Sequence, residues 1–199
     1  MRMMTSLAAV CLATAPAMAQ NAAEVARIAP ILSAQKAEMD RLASYDGVYS
    51  GPWQIFKPDG SPAERGSTVH RVGPFLGGTI KIMEGRNYSS EGALVFNGMM
   101  VFSHNVKSKA WKMDVFAFGE AFEVKPIFTD TGYYFDAPGA EPDGFRRITI
   151  TVTPTTWEEE VYDHHPAKPP VRLFSMKLKR VGATDWPLGR PNPDIPTPR

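Results

Sequence analysis

The chain has 199 residues, 22 basic against 21 acidic side chains, a formal charge of +1 and 43% hydrophobic residues. That is enough chain for one domain with a substantial core, and the even mixture of signs excludes the basic footprint of a nucleic-acid binder or a polybasic membrane patch. The single cysteine, Cys11, lies in an N-terminal apolar run, which excludes a disulfide framework.

Residues 1–19 read as a secretory signal peptide. Arg2 supplies the positive start, residues 7–13 the short apolar run, and Ala17-Met18-Ala19 a small-x-small cleavage site before Gln20. The run is too short for a membrane span, and no later run approaches that length. The expected location is therefore a bacterial periplasm or the outside of the cell, with roughly 180 residues in the mature chain. Residues 20–45 have helical character. Ile28, Leu32, Met39 and Leu42 fall near one stripe, and Pro30 places the start of the better helix there, since proline is tolerated at a first turn.

From Gly47 the hydrophobic period changes from helical to two. Tyr49, Gly51, Trp53 and Ile55 share one face of a first strand, with Ser50 and Gln54 on the other. Pro58-Asp59-Gly60-Ser61 is a turn into a second strand over 65–72, and Gly77-Gly78 leads to a third over 79–83. Asn97-Gly98 between two apolar runs, 93–96 and 99–102, carries the sequence signature of a type I′ hairpin. Strands follow over 111–118, 122–128, 133–136, 145–153, 156–163 and 171–181. About ten strands with short links and no crossover helices indicate an all-β, antiparallel up-and-down barrel over 46–182, behind a short N-terminal helix. Residues 183–199 form a proline-rich tail that Trp186 could pin.

The hairpin over 145–163 can be aligned by hand. Val152 faces Trp157, Ile150 faces Glu159, Ile148 faces Val161 and Arg146 faces Asp163, while the opposite face pairs Thr151 with Glu158, Thr149 with Glu160 and Arg147 with Tyr162. Glu159 then stands alone on an apolar face. A carboxylate there must be paired, hydrogen-bonded or protonated, and Arg146 and Arg180 are the candidate internal partners.

Gly51-Pro52-Trp53 is a G-x-W on a first strand that follows a helix, and Arg180 lies on the final strand with Phe174, Met176 and Leu178. These features resemble the calycin superfamily, which includes the lipocalins. Pro58-Asp59-Gly60 and Leu76-Gly77-Gly78 are similar to a group of secreted bacterial lipocalin-like domains of unknown function. The resemblance covers 46–182. It implies a barrel of about eight to ten strands, with Arg180 over the Trp53 indole as a structural lock, a cation–π contact worth about 0.5–2 kcal/mol. Departures exist: the lipocalin T-D-Y is present only as Thr129-Asp130 followed by Thr131-Gly132-Tyr133, and the histidine of the haem-binding nitrobindin-like barrels is missing from the last strand. No haem or other cofactor is expected.

No G-x-S-x-G, H-E-x-x-H or phosphate-cradling loop is present, so no catalytic residue is assigned. His164 and His165 are adjacent and point opposite ways in extended chain, so no metal site is assigned either. Methionine and phenylalanine are plentiful and would fill a core or line an adaptable pocket. The first expectation is a secreted module binding a small, largely apolar molecule, with Tyr49, Trp53, Trp157 and Glu159 in the pocket. The second is a filled barrel acting through surface contacts with another protein. An enzyme ranks third.

Overall fold

The computed structural model describes residues 14–184, with side chains from residue 23 onward. The expected tail with Trp186 lies outside the described residues, as does most of the expected signal segment. Helix α1, Thr14–Asp40, continues across the predicted cleavage site and through Pro30. The helix expected to start at Pro30 thus starts earlier. Pro30 is exposed, and α1 carries local ion pairs Glu24–Arg27 and Lys36–Asp40 along its outer side. Its C-terminal end is the buried part: Met39, then Leu42, which caps the following 3-10 turn, and Tyr45 within that turn. Ile31 and Leu32 remain exposed.

The chain then forms eleven strands: β1 Gly47–Phe56, β2 Pro62–Phe75, β3 Ile80–Ser89, β4 Leu94–Asn105, β5 Ala110–Ala117 and β6 Glu120–Val124, followed by β7 Ile127–Thr129, β8 Gly132–Pro138, β9 Phe145–Val152, β10 Thr156–His165 and β11 Lys168–Gly182. They make one antiparallel sheet in the order β6-β5-β4-β3-β2-β1-β11-β10-β9-β8-β7, curled into a half-barrel. Each strand pairs with the next in the chain, except β6 with β7, and β1 pairs with β11. The first and last strands therefore meet, and the break in the ladder falls in mid-chain.

That break corrects the single strand expected over 122–128. Lys125-Pro126 interrupts it, and Pro126 has no N–H to give to a ladder. Three Cα steps separate Val124 from Ile127, so these two strand ends lie within about 11 Å of each other. β6 also comes near β8.

A second correction concerns Asn97-Gly98. It is not a turn: β4 runs straight through it, with Asn97 opposite Arg86 and Gly98 opposite Gly85 and Ala117. The turn lies earlier, where Ser89 N–H donates to the Ala93 carbonyl and Gly92 takes φ +83°. Gly98 serves packing, because a Cβ there would stand 2.7 Å from the Phe96 ring. Gly66 does the same beneath the Trp53 ring, at 2.8 Å. Aromatic rings lie across glycines on this half of the inner face, which lets a tightly curled sheet hold large side chains.

The 145–163 hairpin has the register expected of it, pair for pair. The Pro58–Ser61 turn also forms, with Gly60 at φ +81° and the Asp59 carboxylate accepting from the Ser61 N–H at 2.9 Å.

Candidate functional site on the inner face

Register places inner-face side chains in rows across the strands. The middle row holds Tyr133 on β8, Ile150 on β9, Glu159 on β10, Met176 on β11 and Trp53 on β1. One row away from the helix stand Phe135, Ile148, Val161, Phe174 and Ile55. Phe135 and Val161 are buried, Ile148 and Phe174 half-buried, and Ile55 exposed, so this row runs out to solvent. Beyond it Arg146 faces Asp163 at 3.8 Å.

Toward the helix the interior is packed around Trp157, which is fully buried. Its ring meets Tyr45 at 6.1 Å, Tyr49 at 5.8 Å, His70 at 5.7 Å and Tyr133 at 6.4 Å between centroids. Three buried polar atoms in this cluster have no partner: Trp157 Nε1, Tyr133 OH and His70 Nδ1. Unpaired groups of this kind cost free energy, typically about 1–3 kcal/mol each. Burial pulls His70 down to about 4, so the ring is neutral at neutral pH. Tyr133 is pushed well above its ordinary value, first by burial and then by the charge of Glu159.

Glu159 is half-buried between Ile150 and Met176. Burial raises its carboxyl to about 7. No hydrogen bond or ion pair reaches it among the described residues. Neither arginine proposed as its partner reaches it. Arg146 faces Asp163, and Arg180 Nη2 donates to the Ser44 carbonyl at 2.9 Å, to the Asp46 carbonyl and to Tyr49 OH at 3.0 Å. The remaining interior cation, Lys81, is 2% exposed and bound to Asp46.

The lock expected between Arg180 and Trp53 is also corrected by register. Arg180 stands opposite Tyr49 and Trp53 opposite Met176, four residues along the strand. The guanidinium therefore lies over the Tyr49 ring, 5.4 Å from its centroid. Trp53 is held differently: Nε1 donates to the Ser67 and Tyr88 carbonyls, both at 3.0 Å, and the indole stacks on Phe174 at 6.3 Å. Of the four pocket candidates, Tyr49 and Trp157 are thus packed core, Trp53 is a backbone-anchored wall, and Glu159 alone keeps contact with solvent. Among the described residues His70 meets Trp157 and no carboxylate, and alternation with Val72 and Phe135 marks His70 and Tyr133 as inward-facing already in the sequence.

A hollow of about 490 Å³ lies at the helix-covered rim, between α1 and the β4–β5 turn. Ile31, Gln35, His104, Asn105, Lys107 and Lys112 line it, at a distance in the fold from Glu159. Gln35 Nε2 donates to the His104 carbonyl at 3.3 Å and ties the helix there. His165 bonds Glu141 at 3.2 Å and His164 stacks on Phe145 at 4.7 Å. Among the described residues no cluster of three His, Cys, Asp or Glu side chains could hold a metal, and no helix is long and apolar enough to cross a membrane.

No protein-family model matches the chain, and no curated protein matches it by sequence.

Proposed function

We propose that the half-barrel is an exported, calycin-like module that holds a small, largely apolar molecule on its inner face. The observation that carries this reading is Glu159: a carboxylate set among Ile150, Met176 and Val161, half-buried beside an apolar row and without a partner of its own. A filled core would place an apolar residue or a matched cation there, because an unpaired interior carboxylate is costly. Tyr133 OH and Trp157 Nε1, buried close by without partners, add to it. A pocket with apolar walls and a few converging polar groups is the usual form of a small-molecule site.

Native mass spectrometry of the protein purified without denaturant tests the proposal. The expected result is an added mass lost on denaturation, or saturable one-to-one uptake of the uncharged apolar dye Nile red that Phe174→Ala weakens. Bare protein with no saturable uptake would overturn it.

A second reading has its own support. Leu94, Val95, Phe116, Phe118 and Phe122 are exposed around the edge strand β6. Exposed aromatics beside an unpaired strand edge suit contact with another protein.

A further inference from the structure

We infer that the molecule held on the inner face carries a cationic hydrogen-bonding head, an organic ammonium or amidinium group, seated on Glu159 with its apolar body along Phe174, Val161, Ile148 and Ile55. This rests on the binding proposal and specifies its ligand. Charge matching inside the sheet selects this head group. Lys81 is bound to Asp46, Arg146 faces Asp163, and Arg180 is occupied by two carbonyls and a phenol. Among the described residues no cation stands in the row of Glu159, so an anionic head seated there would meet the carboxylate alone. A purely apolar ligand would strip water from Glu159 and give nothing back. A cationic head does both jobs: it neutralises the carboxylate and donates to it, as charge-assisted bonds do. Tyr133 stands in the same row as Glu159, with Ile150 between them, and its buried, unpartnered hydroxyl has lone pairs for a further N–H. The stacked Trp53 and Phe174 rings suit a positive charge as well.

The rival chemistry is a protonated Glu159 donating to a carbonyl or hydroxyl. The two differ in the sign of their pH dependence. A carboxyl near 7 becomes charged as the pH rises, so cation binding strengthens and acceptor binding weakens. The other titratable or charged groups that register turns inward include Tyr133 on β8, Arg146 on β9, Asp163 on β10, Arg180 on β11, Tyr45 and Tyr49, Glu64 and His70 on β2, Lys81 on β3, His104 on β4 and Glu120 on β6. His70, near 4, is already neutral in this range. Any contribution from the rest persists in a Glu159→Gln variant and can be subtracted.

The test uses three probes of one shape, 4-phenylbutylamine, 4-phenylbutanol and 4-phenylbutyrate, titrated calorimetrically into wild type and Glu159→Gln. The amine is expected to bind about tenfold tighter than the alcohol at about pH 8, and to gain affinity between about pH 6 and about pH 8. Glu159→Gln should remove both the preference and the pH dependence while keeping the alcohol. Circular dichroism of the variant checks its fold, and the wild-type pH profile stands without it. Equal or better binding of the alcohol or acid, or an amine affinity untouched by Glu159→Gln, overturns the cationic head and leaves the binding proposal standing. Failure of all three probes, with no co-purifying mass, overturns both.

Discussion

The two ends of the half-barrel treat interior charge in opposite ways. At the helix-covered end, every interior cation has a partner: Lys81 holds Asp46, and Arg180 joins the carbonyls of Ser44 and Asp46 to Tyr49 OH. These contacts tie the entry of β1 to β3 and β11 across more than a hundred residues of chain. Midway toward the other end, Glu159 is half-buried, with apolar neighbours and no partner. Charge at the first end builds the fold. At the second it is held in a form that only another molecule would complete.

The largest test of this contrast is Asp46→Ala. It strands an ammonium that is 2% exposed, and removing one partner of a buried pair costs about 3–5 kcal/mol. Urea unfolding at neutral pH should show that loss. Burial already depresses Lys81, and Asp46 opposes this. Without Asp46 the amine deprotonates more readily, so the penalty should shrink as the pH rises. Adding Lys81→Met should restore most of the stability. A full-sized penalty in the double variant would mean that the loss does not come from a stranded Lys81.

A smaller effect, and one of opposite direction at the two sites, is expected from His70 and Glu159. His70 falls from near 6.5 to about 4 on folding, so the unfolded chain binds more protons between those values and stability rises with pH there. Glu159 rises from near 4.5 to about 7, so the folded chain binds more protons and stability falls as the pH climbs through that range. The shifts correspond to about 3 kcal/mol for His70 and, discounted for partial exposure, about 2 kcal/mol for Glu159. Wild type should therefore look nearly flat between about pH 4.5 and about pH 6.5. Glu159→Gln should expose the rising slope and His70→Gln the falling one. Parallel slopes in the two variants would remove Glu159 from the interior.

Where the sequence was readable, one local pattern dictated one answer. Strict alternation over β9 and β10, joined by a short turn, admits a single register that keeps Trp157, Val161 and Ile150 inside, and that register carried Glu159 with it. Asn97-Gly98 failed because the same two letters serve a turn or a strand, and only the Phe96 ring above Gly98 decides between them. Pro126 was a legible breaker inside an apolar run, and its consequence is the gap between the sheet edges. The Arg180 partner was harder. β1 and β11 are joined by no turn, so their offset is set by the whole circuit of the sheet, and Tyr49 and Trp53 were equally placed by parity. For the same reason, the convergence of His70, Tyr133 and Trp157 from three distant segments has no local signature.

The smallest expected effect compares the two ends of one strand. β5 is entered through Lys109 at φ +53° and left through Phe118 at φ +57°, both in the left-handed region that side chains resist. Glycine relieves that strain but adds freedom to the unfolded chain, which leaves a net gain of about 0.5–1 kcal/mol. Lys109→Gly should show this gain in thermal and urea unfolding. Phe118 differs because its ring, 85% exposed, packs on Phe96 at 5.0 Å. An aromatic pair contributes about 0.5–1.5 kcal/mol, so Phe118→Gly should come out near zero. Equal gains at both positions would mean that the Phe96 contact adds nothing to stability. A strained, exposed phenylalanine beside the β6 edge would then have no role in the fold, and the surface-contact reading would gain at the expense of the interior one.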